Sequence, residues 1–287
     1  MDKKLLLLYN VKAGRRQLRR KLDAIEQVFT EAGYTPFPKM LRFDENPFDN
    51  IPENISLVVI CGGDGTINYV LNAMRSKALD YPLGIIPAGT ANDFAGAIGM
   101  RPNLIRAAQQ IANGSEHSID CGVVNGEYFV NIFSFGMFTT TSQHTPEHIK
   151  RHIGKAAYLI EGSKELHNRE FIPLHIVHDN GEMDIDSMIT LIFNGETAGR
   201  IPLARHASIN DGMLDCFILR KCSTLSGAWN TTKFLISGNP NDEIIHIRTS
   251  KLQITSTLSP LTDMDGQPGP EFPLTIECLP MSLRIVM

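Results

Sequence analysis

Two rhythms of apolar residues divide this chain. In its first third, short unbroken apolar runs alternate with stretches where apolar side chains return every three or four positions. Residues 5–9 form one such run and predict a buried strand. Leu18, Leu22, Ile25, Val28 and Ala32 then share one face of a helix that Gly33 ends. A second strand is predicted over Leu57, Val58, Val59, Ile60 and Cys61, and a second helix from Ile67, Val70, Leu71 and Met74. Residues 83–86 read as a third strand and 103–113 as a helix. From about residue 118 the pattern shortens. Asn125-Gly126 sits between apolar runs as a hairpin turn, and Asp179-Asn180-Gly181-Glu182 is a second turn. Strand-like runs recur at 171–178, 187–194, 213–219, 244–248 and 251–257, with helices near 147–167 and 224–237. The expected fold is an α/β N-terminal lobe, doubly wound on a mostly parallel sheet, followed by a mostly antiparallel β-sandwich lobe. A site would lie in the cleft between them, at strand carboxyl ends. The expected boundaries are 1–120 and 121–279, with 280–287 returning to the first lobe.

Bulk properties narrow the class. The 287 residues are 43% hydrophobic and 20% charged, as in ordinary globular proteins, and a net charge of −4 argues against nucleic-acid binding. Arg15, Arg16, Arg19, Arg20 and Lys21 cluster early, as either a solvated helix face or a patch for phosphates or anionic membrane. Five cysteines, odd in number and without a C-x-x-C pair, read as buried thiols of a reducing cytoplasm. The N-terminal run of four leucines is too short for a signal or a span, and no later run reaches spanning length. The expected location is cytoplasmic, with visits to the inner face of the membrane.

The chemistry concentrates in three loops expected at strand ends: 10–14, 62–68 and 89–93. In Gly62-Gly63-Asp64-Gly65-Thr66-Ile67-Asn68 the glycines let backbone N–H groups approach phosphate oxygens, and the following helix adds its dipole. Asp64 would repel phosphate unless Mg²⁺ bridges them. Thr90 offers a hydroxyl to a phosphate, whereas Asn92 and Asp93 either order the loop and a metal-bound water or cap the helix at Phe94. The chain has no P-loop and no G-x-G-x-x-G after a strand.

Gly62-Gly63-Asp64-Gly65-Thr66 followed by Gly89-Thr90-Ala91-Asn92-Asp93-Phe94 resembles the diacylglycerol kinase catalytic domain family, and within it the soluble bacterial lipid kinases. The resemblance continues through Ile119-Asp120-Cys121-Gly122, Tyr128-Phe129-Val130-Asn131, Asn210-Asp211-Gly212-Met213-Leu214-Asp215 and Asp265-Gly266. It implies ATP bound through Gly62, Gly63, Asp64, Gly65, Thr66, Ile67 and Asn68. Asn10, Gly14 and Thr90 would lie beside the nucleotide, and a structural Mg²⁺ would sit on Asp211 with the carbonyls of Ser208 and Met213. Leu41 falls where the family has a threonine. Where the family reads Asp-Gly-Glu, with its glutamate as general base, this chain reads Asp265-Gly266-Gln267. An amide cannot take the alcohol's proton, which leaves Asp265 or Glu271 as substitutes.

Two further readings stand beside the kinase acting on a diacylglycerol-like lipid. One is a nucleotide- or lipid-binding protein with weak or no turnover, motivated by Gln267; the other is an enzyme like NAD kinases. His144, His148 and His152 fall at i, i+4 and i+8, which fits a solvent-facing stripe better than a Zn²⁺ site. Lys150, Arg151 and Lys155 beside them suggest a face for anionic lipid headgroups. A homodimer is compatible with all of this.

Overall fold

The computed structural model describes residues 3–10, 15–136, 171–220, 233–234, 241 and 243–287. The chain divides into two units, 1–119 with 281–287, and 120–280. The expected helices near 147–167 and 224–237 lie outside the described residues, apart from Lys233 and Phe234.

In the first unit the elements run β1 (Lys3–Tyr9), α1 (Arg15–Glu31), β2 (Tyr34–Met40), β3 (Ile55–Gly62), α2 (Asp64–Ser76), β4 (Leu83–Pro87), α3 (Asp93–Ala97) and α4 (Leu104–Ala112). The strands are parallel in the order β2-β1-β3-β4. Their apolar runs are unbroken because both faces are covered: Leu5, Leu6, Leu7 and Leu8 are all buried, as are Val58, Val59 and Ile60. On α1 the buried face is Leu18, Ile25 and Phe29, with Leu22 and Val28 at its margin. Ala32, read as part of that face, is exposed past the helix end; Phe29, one turn beyond Ile25, takes the position instead. The order has a physical consequence. The chain leaves β1 toward β2 on one side and continues from β3 to β4 on the other, so the winding reverses between β1 and β3. In open α/β sheets that reversal opens a crevice at the strand carboxyl ends.

The second unit contains β5 (Glu116–Val124), whose start belongs to the first, then β6 (Glu127–Phe129), β7 (Ile132–Gly136), β8 (Ile172–His178), β9 (Gly181–Phe193), β10 (Thr197–Ala198), β11 (Ile201–Pro202), β12 (Leu214–Arg220), β13 (Ile244–Thr249), β14 (Lys251–Ser256), β15 (Thr262–Met264), β16 (Gln267–Pro268) and β17 (Leu274–Val286). The registered pairings within it are antiparallel. The last residues of β17 belong to the first unit, where Ile285 pairs in parallel with Leu83 of β4. Asn125 and Gly126 both have positive φ and join β5 to β6 as a two-residue turn. At the second turn His178 pairs with Gly181, so Asp179 and Asn180 make the bend. The Asp179 carboxylate accepts from the Ser250 N–H and hydroxyl, and the Ser250 N–H is the main cause holding it below the usual carboxylate range. β9 from Ser187 onward and β12 up to Leu219 are buried on both faces. Ile192, Cys216 and Ile218 join one apolar cluster while Ile189, Leu191, Phe193, Phe217 and Leu219 join the other. The four described cysteines are buried, and burial pushes the Cys278 thiol up to about 12.

Candidate active site

Parallel strand ends bring the loops of the first unit together. Asn10, at the end of β1, donates its backbone N–H to Cys61 O (3.1 Å) and its side-chain Nδ2 to Thr66 Oγ1 (3.1 Å). That pair bridges the point where the winding reverses. Leu41 lies alongside, donating its N–H to Tyr9 O at 2.9 Å. Gly62 follows from Thr66: a Cβ on Gly62 would sit 2.5 Å from the Thr66 side chain.

The second contact is backbone on backbone. A Cβ on Gly89 would lie 2.4 Å from Gly63 Cα, and a Cβ on Gly63 would lie 2.9 Å from Gly89 Cα. The two glycine loops therefore touch through their main chains, and no side chain fits at either position. Asn92 fixes the second loop: it adopts φ 56°, accepts from Gly89 N (2.7 Å) and donates to Gly89 O (3.1 Å). Asparagine tolerates the left-handed conformation because its side chain bonds locally. Gly89→Ala should cost about 1–3 kcal/mol of stability, because backbone cannot move aside as a side chain would. A urea melt checks it, and an unchanged midpoint contradicts the contact.

Asp64 opens α2, and its Oδ1 accepts from Phe94 N at 3.0 Å. Thus Asp64 serves the start of α3, and Asn92 stands at the N-cap position of that helix without a side-chain capping bond. Burial is the main cause raising the Asp64 pKa, with the nearby Asp93 carboxylate adding to it and the Phe94 N–H opposing it. Asp93 is itself buried. A cation beside this glycine turn would favour the ionised form of Asp64 that burial and the neighbouring carboxylate disfavour.

The remaining expected nucleotide residues fall out differently. Asn68 is buried, and Asn72 Nδ2 donates to its carbonyl and to its Oδ1. Ile67 packs its side chain into the core and gives its N–H to Gly63 O, so it has no side-chain role at the loop surface. Gly65 is half-buried in the first turn of α2 and Thr90 is exposed. Gly14 lies outside the described residues, as do His144, His148, His152, Lys150, Arg151 and Lys155. Arg19 and Arg20 are exposed on α1.

In the second unit, Asp265 and Gly266 carry φ of 51° and 84° and form the two-residue turn between β15 and β16. The Asp265 carboxylate points into the protein, not out of it. It accepts from Val130 N (2.8 Å), Asn131 N (3.0 Å) and Ile132 N (3.0 Å), while its own N–H donates to Ile132 O. Gln267 is exposed, and its Nε2 donates to Gly266 O at 3.1 Å. Glu271 is exposed as well. Polar bonds continue from the 130–132 segment: Asn194 Nδ2 donates to Val130 O and to Asp120 O, and Asp120 Oδ2 accepts from Gly212 N at 2.7 Å. Asp211 follows Asn210 in that last loop, where Ser208 Oγ donates to Asn210 Oδ1. Asp211 Oδ1 accepts from Met213 N (3.0 Å) and Oδ2 from Arg248 Nη2 (2.5 Å). Among the described residues no three His, Cys, Asp or Glu side chains group to hold a metal ion.

Sequence reasoning did not anticipate Arg248 or the amide cluster around Asp265. The Asp-Gly dipeptide was a visible turn signal, but the carboxylate's partners lie more than 130 residues away.

Comparison with known proteins covers both units. Residues 4–124 match the diacylglycerol kinase catalytic domain model, and 131–287 match the YegS C-terminal NAD kinase beta sandwich-like domain. A diacylglycerol kinase of Bacillus subtilis (strain 168) is 30% identical over 292 residues, covering 99% of this chain and 96% of that protein. A diacylglycerol kinase of Staphylococcus aureus is 27% identical over 286 residues, covering 95% and 89%. A crystal structure from Bacillus anthracis str. Sterne aligns with a TM-score of 0.85 at 25% identity, over 99% of this chain and 95% of that one.

Proposed function

The chain belongs to the diacylglycerol kinase catalytic domain family, and from that membership we propose that it transfers the γ-phosphoryl group of ATP to the hydroxyl of a diacylglycerol-like lipid. The observation that carries the nucleotide half is the contact of two glycine loops, Gly63 against Gly89, beside the Asn10–Thr66 bridge at the winding reversal. Main chain at van der Waals contact lets a phosphate come close to the start of α2, where the helix dipole favours negative charge. Thr66 and Asn10 orient one another there, Gly62 makes room for the Thr66 side chain, Gly65 adds none of its own, and Thr90 offers its hydroxyl. The nucleotide arrives as Mg·ATP. Asp64 and Asp93 would be the residues to hold its divalent ion, which would screen the phosphate charge and offset the repulsion between the two carboxylates.

The lipid half rests on the second unit. Exposed Leu258 and Leu261 lie in the uncharged stretch 257–261 that precedes β15, a segment suited to peripheral contact with a membrane. Among the described residues no helix is long and apolar enough to cross one. Asp265 is a positioning residue in this scheme, because three amide N–H groups hold its oxygens. Gln267 stands at the base position and cannot take the proton. Transfer proceeds without a strong base, by positioning and electrostatic stabilisation, with the hydroxyl's proton passing to water or a phosphoryl oxygen, at a reduced rate.

Asp64→Asn separates function from stability. The folded state raises the Asp64 pKa, so the group's contribution to stability is full below the unfolded value of 3.8 and is lost as pH rises through the folded value. The amide keeps an oxygen for Phe94 N and discards the buried charge. At pH 7 the variant should melt at or above the wild type, with affinity for Mg·ATP about tenfold weaker. Calorimetry and thermal melts check both; equal affinity removes Asp64 from the nucleotide site. Phosphorylation of NAD in a coupled assay, with lipids untouched, would instead favour the NAD kinase-like reading.

A further inference from the structure

The family resemblance puts a divalent ion on Asp211, with the carbonyls of Ser208 and Met213, and the side chains present do not fit one. Both carboxylate oxygens of Asp211 already meet donors, Met213 N on Oδ1 and Arg248 Nη2 on Oδ2. The neighbouring acids are committed too: Asp120 to Gly212 N at 2.7 Å, and Asp215 to His246 Nε2 at 2.5 Å. Arg248 reaches Asp211 from β13, where its backbone pairs with Asp215 on β12. We infer that the Arg248 guanidinium stands in for a structural metal at the 208–213 loop, so that this loop is held without a divalent ion.

The physical case is one of competition. Mg²⁺ demands near-ideal octahedral oxygen ligands and gives up its water reluctantly, so a single carboxylate with two carbonyls is a modest site. The guanidinium needs no dehydration of that kind, matches a carboxylate geometrically, and is tethered to the same sheet. Half the Arg248 side chain is exposed, against 22% of Asp211, so the pair closes the loop's surface rather than filling the core. The fixed positive charge also leaves the loop's order independent of the magnesium level, which a metal-held loop cannot match.

This inference goes beyond the kinase reading, and its test contains neither ATP nor lipid, so the two can fail separately. The nucleotide-free chain is melted in EDTA and in millimolar MgCl₂, and titrated with MgCl₂ by calorimetry. The wild type should melt at the same temperature in both and show no single-site magnesium heat. Arg248→Ala should melt lower in EDTA and recover roughly 2–5 °C with magnesium, a gain that Asp211→Asn removes in the same background. If Arg248→Ala does not fold, Arg248→Met is used for the same comparison. A wild-type chain that binds about one magnesium ion, lost in Asp211→Asn, overturns the inference. So does an Arg248 variant that folds and stays indifferent to magnesium.

Discussion

Gln267→Glu is expected to raise the turnover of lipid phosphorylation by about 10²–10⁴-fold, the usual worth of a positioned general base. Gln267 opens β16 immediately after the Asp265-Gly266 turn, with its side chain exposed and its Nε2 donating to the adjacent Gly266 carbonyl. A glutamate of nearly the same shape fits there without disturbing the core, so the change acts on chemistry and leaves stability within experimental error. The gained activity should carry its own pH signature. It requires an ionised carboxylate, so the rate should climb through the ordinary glutamate range near ~4.3 and then level, a limb absent from the wild type. Steady-state kinetics across pH decide it. An unchanged kcat would mean that position 267 is not where the proton goes.

Asp265→Ala should cost about 3–6 kcal/mol, a large share of the stability of any single protein. The reason is the number of donors released at once. Val130, Asn131 and Ile132 each give an N–H to this carboxylate, and Val130 and Asn131 are buried. Each N–H left without a partner costs roughly 1–3 kcal/mol, reduced where water fills the space. The left-handed backbone at Asp265, φ 51°, adds strain that alanine tolerates worse than aspartate does. Denaturant melts read the loss. A variant that keeps its midpoint yet loses all turnover would instead make Asp265 the base. These two substitutions, two residues apart, separate an exposed side chain from one that faces the protein.

What the sequence disclosed and what it hid follow from the range of the interactions involved. Three strands of the first unit were legible because burial leaves no polar residue in the run from Leu5 to Leu8 or from Leu57 to Cys61, whereas β2 was not read, since Tyr34–Met40 carries two prolines and no buried position. The hairpin at Asn125-Gly126 was legible because two consecutive positive φ values demand those residue types. The face of α1 was legible except at its end, where the helix stops before Ala32 and Phe29 does the packing. The glycine loops announced themselves as a class, yet which glycine meets which depended on the order β2-β1-β3-β4. Asp64 looked like a carboxylate in need of a cation; part of its answer is the Phe94 N–H, thirty residues on. Arg248 and Asp211 are separated by thirty-seven residues with no motif joining them, and only the strand pairing of β12 with β13 brings them together.

The most direct test of the whole account follows the phosphate. The native chain is incubated with Mg²⁺, ATP labelled in its γ-phosphate and diacylglycerol in detergent micelles, and the label is counted in the extracted lipid. The account predicts label in the lipid, dependent on magnesium and diminished in Asp64→Asn at subsaturating ATP. Label that never enters the lipid, while calorimetry shows ATP bound to the same chain, would contradict it.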